Sequence, residues 1–329
     1  MQEAQEMFDA GLIETIPDKL AGCLKTGFTN EELLQAHKLI VLSYLFDDNV
    51  EMADESMLKF LTDFPSYEPV ATDPREFVAL METYNTDPVL MLGVGVGANF
   101  SFPIMREEMG VHNNLLHGGN LAPGGAGFHG SFMVERELIQ NLNLLGELGV
   151  ANILYDTYLD DESEIIEPSA EITDFSIIEY YETQTQIRLP ISVSYNFTET
   201  DFKPYVRVGI VPAILLVAKA EANRSYINTG NTYLDPLEVA NVDIMNGRRF
   251  INLWAFAGAG FNYKLGPGNF FLDLRYYMNL LNQVKPGSDP FMFPDLTFKI
   301  YYANDEFFLN NLTVTAGYMF PLYRPKKKD

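Results

Sequence analysis

Two periodicities divide the chain. Over the first 65 residues apolar positions recur at helical spacing, as in Leu33, Leu34, His37, Ile40, Val41, Tyr44 and Leu45, with no strand-like alternation. Thr29-Asn30-Glu31-Glu32 supplies an N-cap with an acid three residues on, Gly27 and Asp47-Asp48-Asn49 interrupt the pattern, and Pro65 stops the next helix. From Val89 onward the period becomes two. The cleanest run is 270–280, where Phe270, Leu272, Leu274, Tyr276, Met278 and Leu280 alternate with Phe271, Asp273, Arg275, Tyr277 and Asn279. A strand with lipid on one face and a packed polar lumen on the other reads this way.

The same alternation runs through Ile187 to Phe197, with Arg188, Ser192 and Ser194 inward, and through Tyr205 to Ile210. It returns in Leu312 to Phe320, where Leu312, Val314, Ala316, Tyr318 and Phe320 face outward. Weaker segments lie at Leu90 to Phe102, with inward Gly93, Gly95 and Gly97, and near 124–137, 144–157 and 249–264. The strand count is eight, and the inward glycines suit a narrow barrel. Connections alternate between short ones (Gln140 to Asn143, Thr198 to Phe202, Gly266-Pro267-Gly268) and long ones near 103–123, 158–176, 220–247 and 284–305. Outer-membrane barrels have that asymmetry. The expected fold is an all-β transmembrane barrel of eight antiparallel strands with a small all-α N-terminal domain. The domains are 1–84, helical and periplasmic; 88–323, the barrel; and 324–329, a basic periplasmic tail. A soluble sandwich or lipocalin-like calyx is the competing architecture. It needs a polar outer face, whereas here the outer positions include Ile187, Leu189, Ile191 and Val193 and the charges lie on the inner face.

Leu34 to Pro65 resembles a tetratricopeptide repeat, with Tyr44 near the end of the first helix, Ala53 at the close contact and Met57 and Phe60 facing inward. His37 and Val41 stand where the repeat has Trp and Gly. A plain helical bundle is the alternative. On the repeat reading His37, Tyr44, Ala53, Met57 and Phe60 are candidates for docking a partner, joined by Lys326, Lys327 and Lys328 of the tail. A lone histidine on a helix reads as a packed residue rather than a metal ligand.

Charge and composition narrow the function. A formal charge of -23 excludes nucleic acid as a partner, because phosphate binding rests on Lys and Arg. Acids gather in the N-terminal third and in the long segments, as at Asp160, Asp161, Glu162, Glu164 and Glu167. The single Cys23 has no partner for an intrachain disulfide and is internal, which argues against a lipid anchor. No apolar run reaches the ~20 residues of a spanning helix. No export leader is visible, so the sequence reads as one from which the leader has been removed.

One hairpin carries a family resemblance: Arg188-Leu189-Pro190, then Tyr195-Asn196-Phe197, then Lys203-Pro204-Tyr205-Val206-Arg207-Val208-Gly209. With it the barrel resembles the Bacteroidota outer-membrane β-barrel family that includes the barrel component of the type IX secretion system. The resemblance spans the barrel, about 235 residues, and implies an envelope assembly as the setting.

Eight strands leave a lumen filled by side chains, so the inward ionisable residues Glu135, Glu147, Arg188, Arg207, Asp273 and Arg275 are expected to pair across it rather than line a pore. His129 and Ser131 share a face, but two such residues without a third group do not make a catalytic triad. The acidic stretch from Asp160 to Asp174 lacks calcium-loop spacing and reads as a solvated loop, and Gly93-x-Gly95-x-Gly97 opens no helix and is not a nucleotide fingerprint. The expected function is that of a non-enzymatic outer-membrane anchor or accessory subunit of a secretion or barrel-assembly complex. It has no cofactor; its partners are envelope proteins, the lipid bilayer and lipopolysaccharide, and both termini lie in the periplasm. The alternatives are a barrel enzyme acting on lipid or peptide and a loop-mediated ligand binder.

Overall fold

The computed structural model describes residues 1–24, 27–107, 125–161, 174–228 and 237–328. Two compact units result, one of residues 1–90 with 321–329 and the other of residues 91–320.

The first unit holds α1 (Gln2–Asp9), α2 (Ile16–Ala21), α3 (Asn30–Phe46), α4 (Val50–Asp63) and α5 (Arg75–Glu82). Thr29 caps α3 in a reciprocal capping box with Glu32, and Asn49 caps α4 by accepting from the Met52 N–H. Every residue from Ala36 to Ser43 is buried, so α3 is covered on all sides. One flank packs with Ile16 and Leu20, the other with Met57, Phe60, Leu61, Phe77 and Met81. α5 lies beyond the last helix read from the sequence. The 324–329 segment is not a free tail: β1 (Tyr84–Asn85) pairs antiparallel with β12 (Lys326–Lys327), the Lys327 ammonium bonds Asp54, and Lys328 Nζ donates to the Glu82 carbonyl at 2.9 Å.

The second unit is a closed antiparallel barrel. Its strands are β2 (Pro88–Glu107), β3 (Ala126–Ile139), β4 (Leu142–Asp161), β5 (Asp174–Arg188), β6 (Ile191–Asn196), β7 (Phe202–Asn228), β9 (Ile251–Leu265), β10 (Gly268–Asn279) and β11 (Glu306–Tyr323); β8 (Leu237–Asp243) pairs only with the far end of β7. β5 and β6 are one barrel strand interrupted at Leu189-Pro190, since both pair with β4 and with β7. Pro190 has no N–H to give, yet its carbonyl accepts from Glu147 N at 2.8 Å and Leu189 N donates to the Pro212 carbonyl at 2.9 Å. The ring therefore has eight stations, and β2 closes it against β11. Glycine permits that closure, because a Cβ on Gly97 would stand 2.0 Å from the Val314 carbonyl oxygen and one on Gly317 would stand 2.2 Å from that of Val94.

Several strands run past the boundaries read from the sequence. The segments at 103–107, 158–161, 174–176 and 220–228 fall in the long connections that the alternation predicts and are strand. The physical reason lies on β7. Its outer positions are apolar through Val206, Val208, Ile210, Ile214 and Leu216, then become Lys219 and Glu221. An extra β7 residue, Leu216, bulges opposite the step between Thr185 and Gln186 of β5, and the inward positions of β7 change from Val211, Ala213 and Leu215 to Ala218, Ala220 and Ala222. Beyond the bulge the strand carries Lys219, Glu221 and Asn223 outside and Ala218, Ala220 and Ala222 inside, so the inverted alternation ends before the strand does. The connection between β10 and β11 is also no plain loop. It holds a π-helix at Asp295–Ile300, and its Leu296, Ile300 and Tyr302 pack inside the barrel with Tyr180, Trp254 and Phe307.

Candidate functional site

The lumen is built in layers along β10, whose inward residues are Phe271, Asp273, Arg275, Tyr277 and Asn279. Nearest the short turns, Phe271 packs with Met133, Leu145 and Met319. Above it lies a chain of charges. Arg207 on β7 bonds Asp273 at 2.6 Å and approaches Glu135 on β3 at 3.6 Å, while Tyr205 donates to Asp273 at 3.1 Å. Arg275 Nε donates to the same Asp273 oxygen at 2.9 Å, and its Nη1 bonds Glu147 on β4 at 2.6 Å. Five of the six inward ionisable residues singled out in the sequence thus join in one network, Glu135–Arg207–Asp273–Arg275–Glu147, held from four strands. Asp273 is 0% and Arg275 1% exposed, so each charge depends on its partners to offset desolvation.

Arg188 departs from the expectation of pairing. Among the described residues no carboxylate ion-pairs with it: Nε donates to Gln186 at 3.3 Å and the guanidinium lies over the rings of Trp254 at 4.8 Å and Tyr277 at 5.5 Å. Its inward neighbours on β5 form a ladder, with Gln186 donating to Gln184 and Gln184 to Glu182, each at 2.8 Å.

A second buried pair escaped the sequence reading. Arg248 bonds Glu182 through Nη2 at 2.5 Å and Nε at 2.8 Å, and its Nη1 donates to Asn304 of the inserted connection. Tyr302 of that connection stacks on Tyr180 with centroids 4.0 Å apart. The signal for Glu182 was present: alternation continued backward from Arg188 through Gln186 and Gln184 reaches it. Arg248 sits outside any alternating run and carried no such signal.

His129 and Ser131 both face the lumen but do not bond each other. The His129 Nε2 lies 2.9 Å from the Thr315 hydroxyl, and Ser131 donates to Glu147 at 3.4 Å. The acidic stretch at 162–173, with Glu162, Glu164 and Glu167, lies outside the described residues.

In the helical unit the expected docking residues are placed differently from one another. Ala53, Met57 and Phe60 are 0% exposed and form the α3–α4 core, which corrects their expected role at a surface. The tight hairpin that suggested a repeat consumes them in its own packing. His37 is buried and bonds Asp63 at 3.1 Å beside Phe64; burial lowers its pKa below the ordinary value although Asp63 pulls the other way. His37 and Tyr44 share the wall of a surface groove of about 250 Å³ with Leu24, Met52 and Glu55. Lys38, also buried, bonds Asp73 at 2.6 Å and Tyr67 at 2.5 Å. Burial pushes the Asp73 carboxyl up, but hydrogen bonds from Lys38, Tyr67 and Val70 outweigh it and hold the group below its usual range.

No protein-family model and no curated protein matches this chain. Among solved structures it is similar to Ail, the attachment invasion locus protein of Yersinia pestis, at 12% identity over 71% of this chain and 99% of that one, with a TM-score of 0.27. It is similar also to the outer membrane protein OprG from Pseudomonas aeruginosa, at 9% identity over 74% and 98%, with a TM-score of 0.34. A third is a major outer membrane protein from Thermus thermophilus, at 16% identity over 70% and 99%, with a TM-score of 0.30. At such identities and scores these likenesses add nothing to what the strand pairing itself establishes.

Proposed function

We propose that this chain is an outer-membrane barrel that works as a non-enzymatic anchor or accessory subunit of an envelope complex, in protein secretion or barrel assembly. One observation carries the reading: a closed eight-station ring carries an apolar belt outside, toward its short-turn end, and is filled inside by a five-residue charge network and an inserted connection. A filled narrow lumen favours anchoring over conduction. Its belt of outward Val, Leu, Ile, Phe and Tyr suits lipid, with aromatics such as Tyr195, Phe197, Phe202 and Tyr263 at the short-turn end. The chain enters β2 and leaves β11 at that end, which in this reading faces the periplasm and puts the helical unit there.

Several features support an assembly role: the TPR-like α3–α4 hairpin, the surface groove beside Tyr44, and the resemblance of the 188–209 hairpin to the type IX barrel component. The partners in this reading are envelope proteins, with the bilayer and lipopolysaccharide around the barrel. The separate bonding of His129 and Ser131 weighs against the enzyme alternative.

Purification from native membranes in mild detergent tests the proposal. The expected result is co-purification of envelope proteins that is lost, with the barrel retained, when residues 1–84 are deleted together with 324–329. Recovery of the intact chain as a lone monomer would overturn it.

A further inference from the structure

We propose that the barrel lumen contains a binding site for one small inorganic anion of halide size, centred on Arg188. A cavity of about 30 Å³ lies against His129, Ser131, Glu147, Arg188, Arg275 and Thr313. Since one water needs about 10–15 Å³ measured in this way, the space takes one halide or about two waters.

The chemistry of the wall selects an acceptor. Arg188 is 6% exposed, and among the described residues its Nη2 has no hydrogen-bond partner. A guanidinium only donates. The rings of Trp254 and Tyr277 lie against the guanidinium and Gln186 accepts from its Nε, which leaves Nη2 as the unmet donor. The Thr313 hydroxyl and His129 Nδ1, on the same wall, are also buried without hydrogen-bond partners among the described residues. In the tautomer whose Nε2 accepts from the Thr315 hydroxyl, 2.9 Å away, the Nδ1–H of His129 is a third donor. The carboxylate on this wall, Glu147, bonds Arg275 at 2.6 Å and Ser131 at 3.4 Å, and among the described residues no ion pair joins it to Arg188. A buried cation with unpaired donors is costly to fold, and an anion accepting from them offsets that cost directly.

Sodium bromide is the probe, applied to the folded full-length chain. In bromide-soaked crystals the expected result is an anomalous peak in the cavity within hydrogen-bonding reach of Arg188 Nη2. In detergent, thermal midpoints in sodium bromide and in sodium gluconate at equal ionic strength should differ by a saturable rise of roughly 2–4 °C. Arg188→Met abolishes the rise. Thr313→Val, a milder change that keeps the shape, weakens bromide affinity ~tenfold. Water alone in the cavity of bromide-soaked crystals, bromide bound only elsewhere, or equal midpoints in the two salts would each overturn the proposal.

Discussion

Asp273 and Leu274 are neighbours on β10 that meet opposite surroundings, and their substitution separates the two faces of the wall. Asp273 accepts from Arg207, Arg275 and Tyr205. Asp273→Ala leaves two guanidiniums short of a partner in a sealed lumen and should cost about 3–5 kcal/mol in denaturant unfolding of the bilayer-reconstituted barrel. Leu274 points outward at 49% exposure. In lipid, Leu274→Arg near the middle of the belt should cost about 2–4 kcal/mol, whereas the same change on a water-facing wall costs little. In the helical unit, His37 sets a pH dependence. The unfolded ring takes up a proton near pH 6.5 and the folded one only at lower pH. Between those values the unfolded state binds more protons, so stability should fall as pH drops below about 6.5 and be insensitive to His37 above it. Fluorescence-monitored unfolding of the helical unit across that range should show the slope, and His37→Gln should flatten it.

At the scale of elements, the parity of β10, β6 and the first half of β7 was legible because alternation records which face meets lipid whatever the register. Arg207, Asp273 and Arg275 were placed inward on that basis, and their mutual pairing followed. The upper halves of β4, β5 and β7 were not legible, since beyond the bulge near Gln186 the wall exchanges apolar-out for polar-out and resembles solvated loop. The inserted 284–305 connection, the Arg248–Glu182 pair and the pairing of Lys326 with Asn85 all depend on contacts distant in sequence, which local pattern does not encode. In the helical unit the Thr29 capping box was readable residue by residue, but the burial of Ala53, Met57 and Phe60 was set by how α4 docks on α3. Thr29→Ala should cost about 1 kcal/mol of helical-unit stability by amide hydrogen exchange in α3. Gly97→Val places side-chain carbon against the Val314 backbone and should block closure of β2 on β11. Loss of the compact, heat-modifiable band in unheated gels would report it.

For the barrel as a whole, the central claim is that the closed ring presents its apolar face to lipid and keeps its charges within. A nitroxide scan of positions 270–280 in bilayers, reading collision with oxygen against a water-soluble nickel complex, tests that claim on the strand with the cleanest alternation. The account predicts a period of two, with the even positions from Phe270 to Leu280 open to oxygen and closed to nickel, and the odd positions shielded from both. Even positions open to the nickel complex would place that face in water and contradict it.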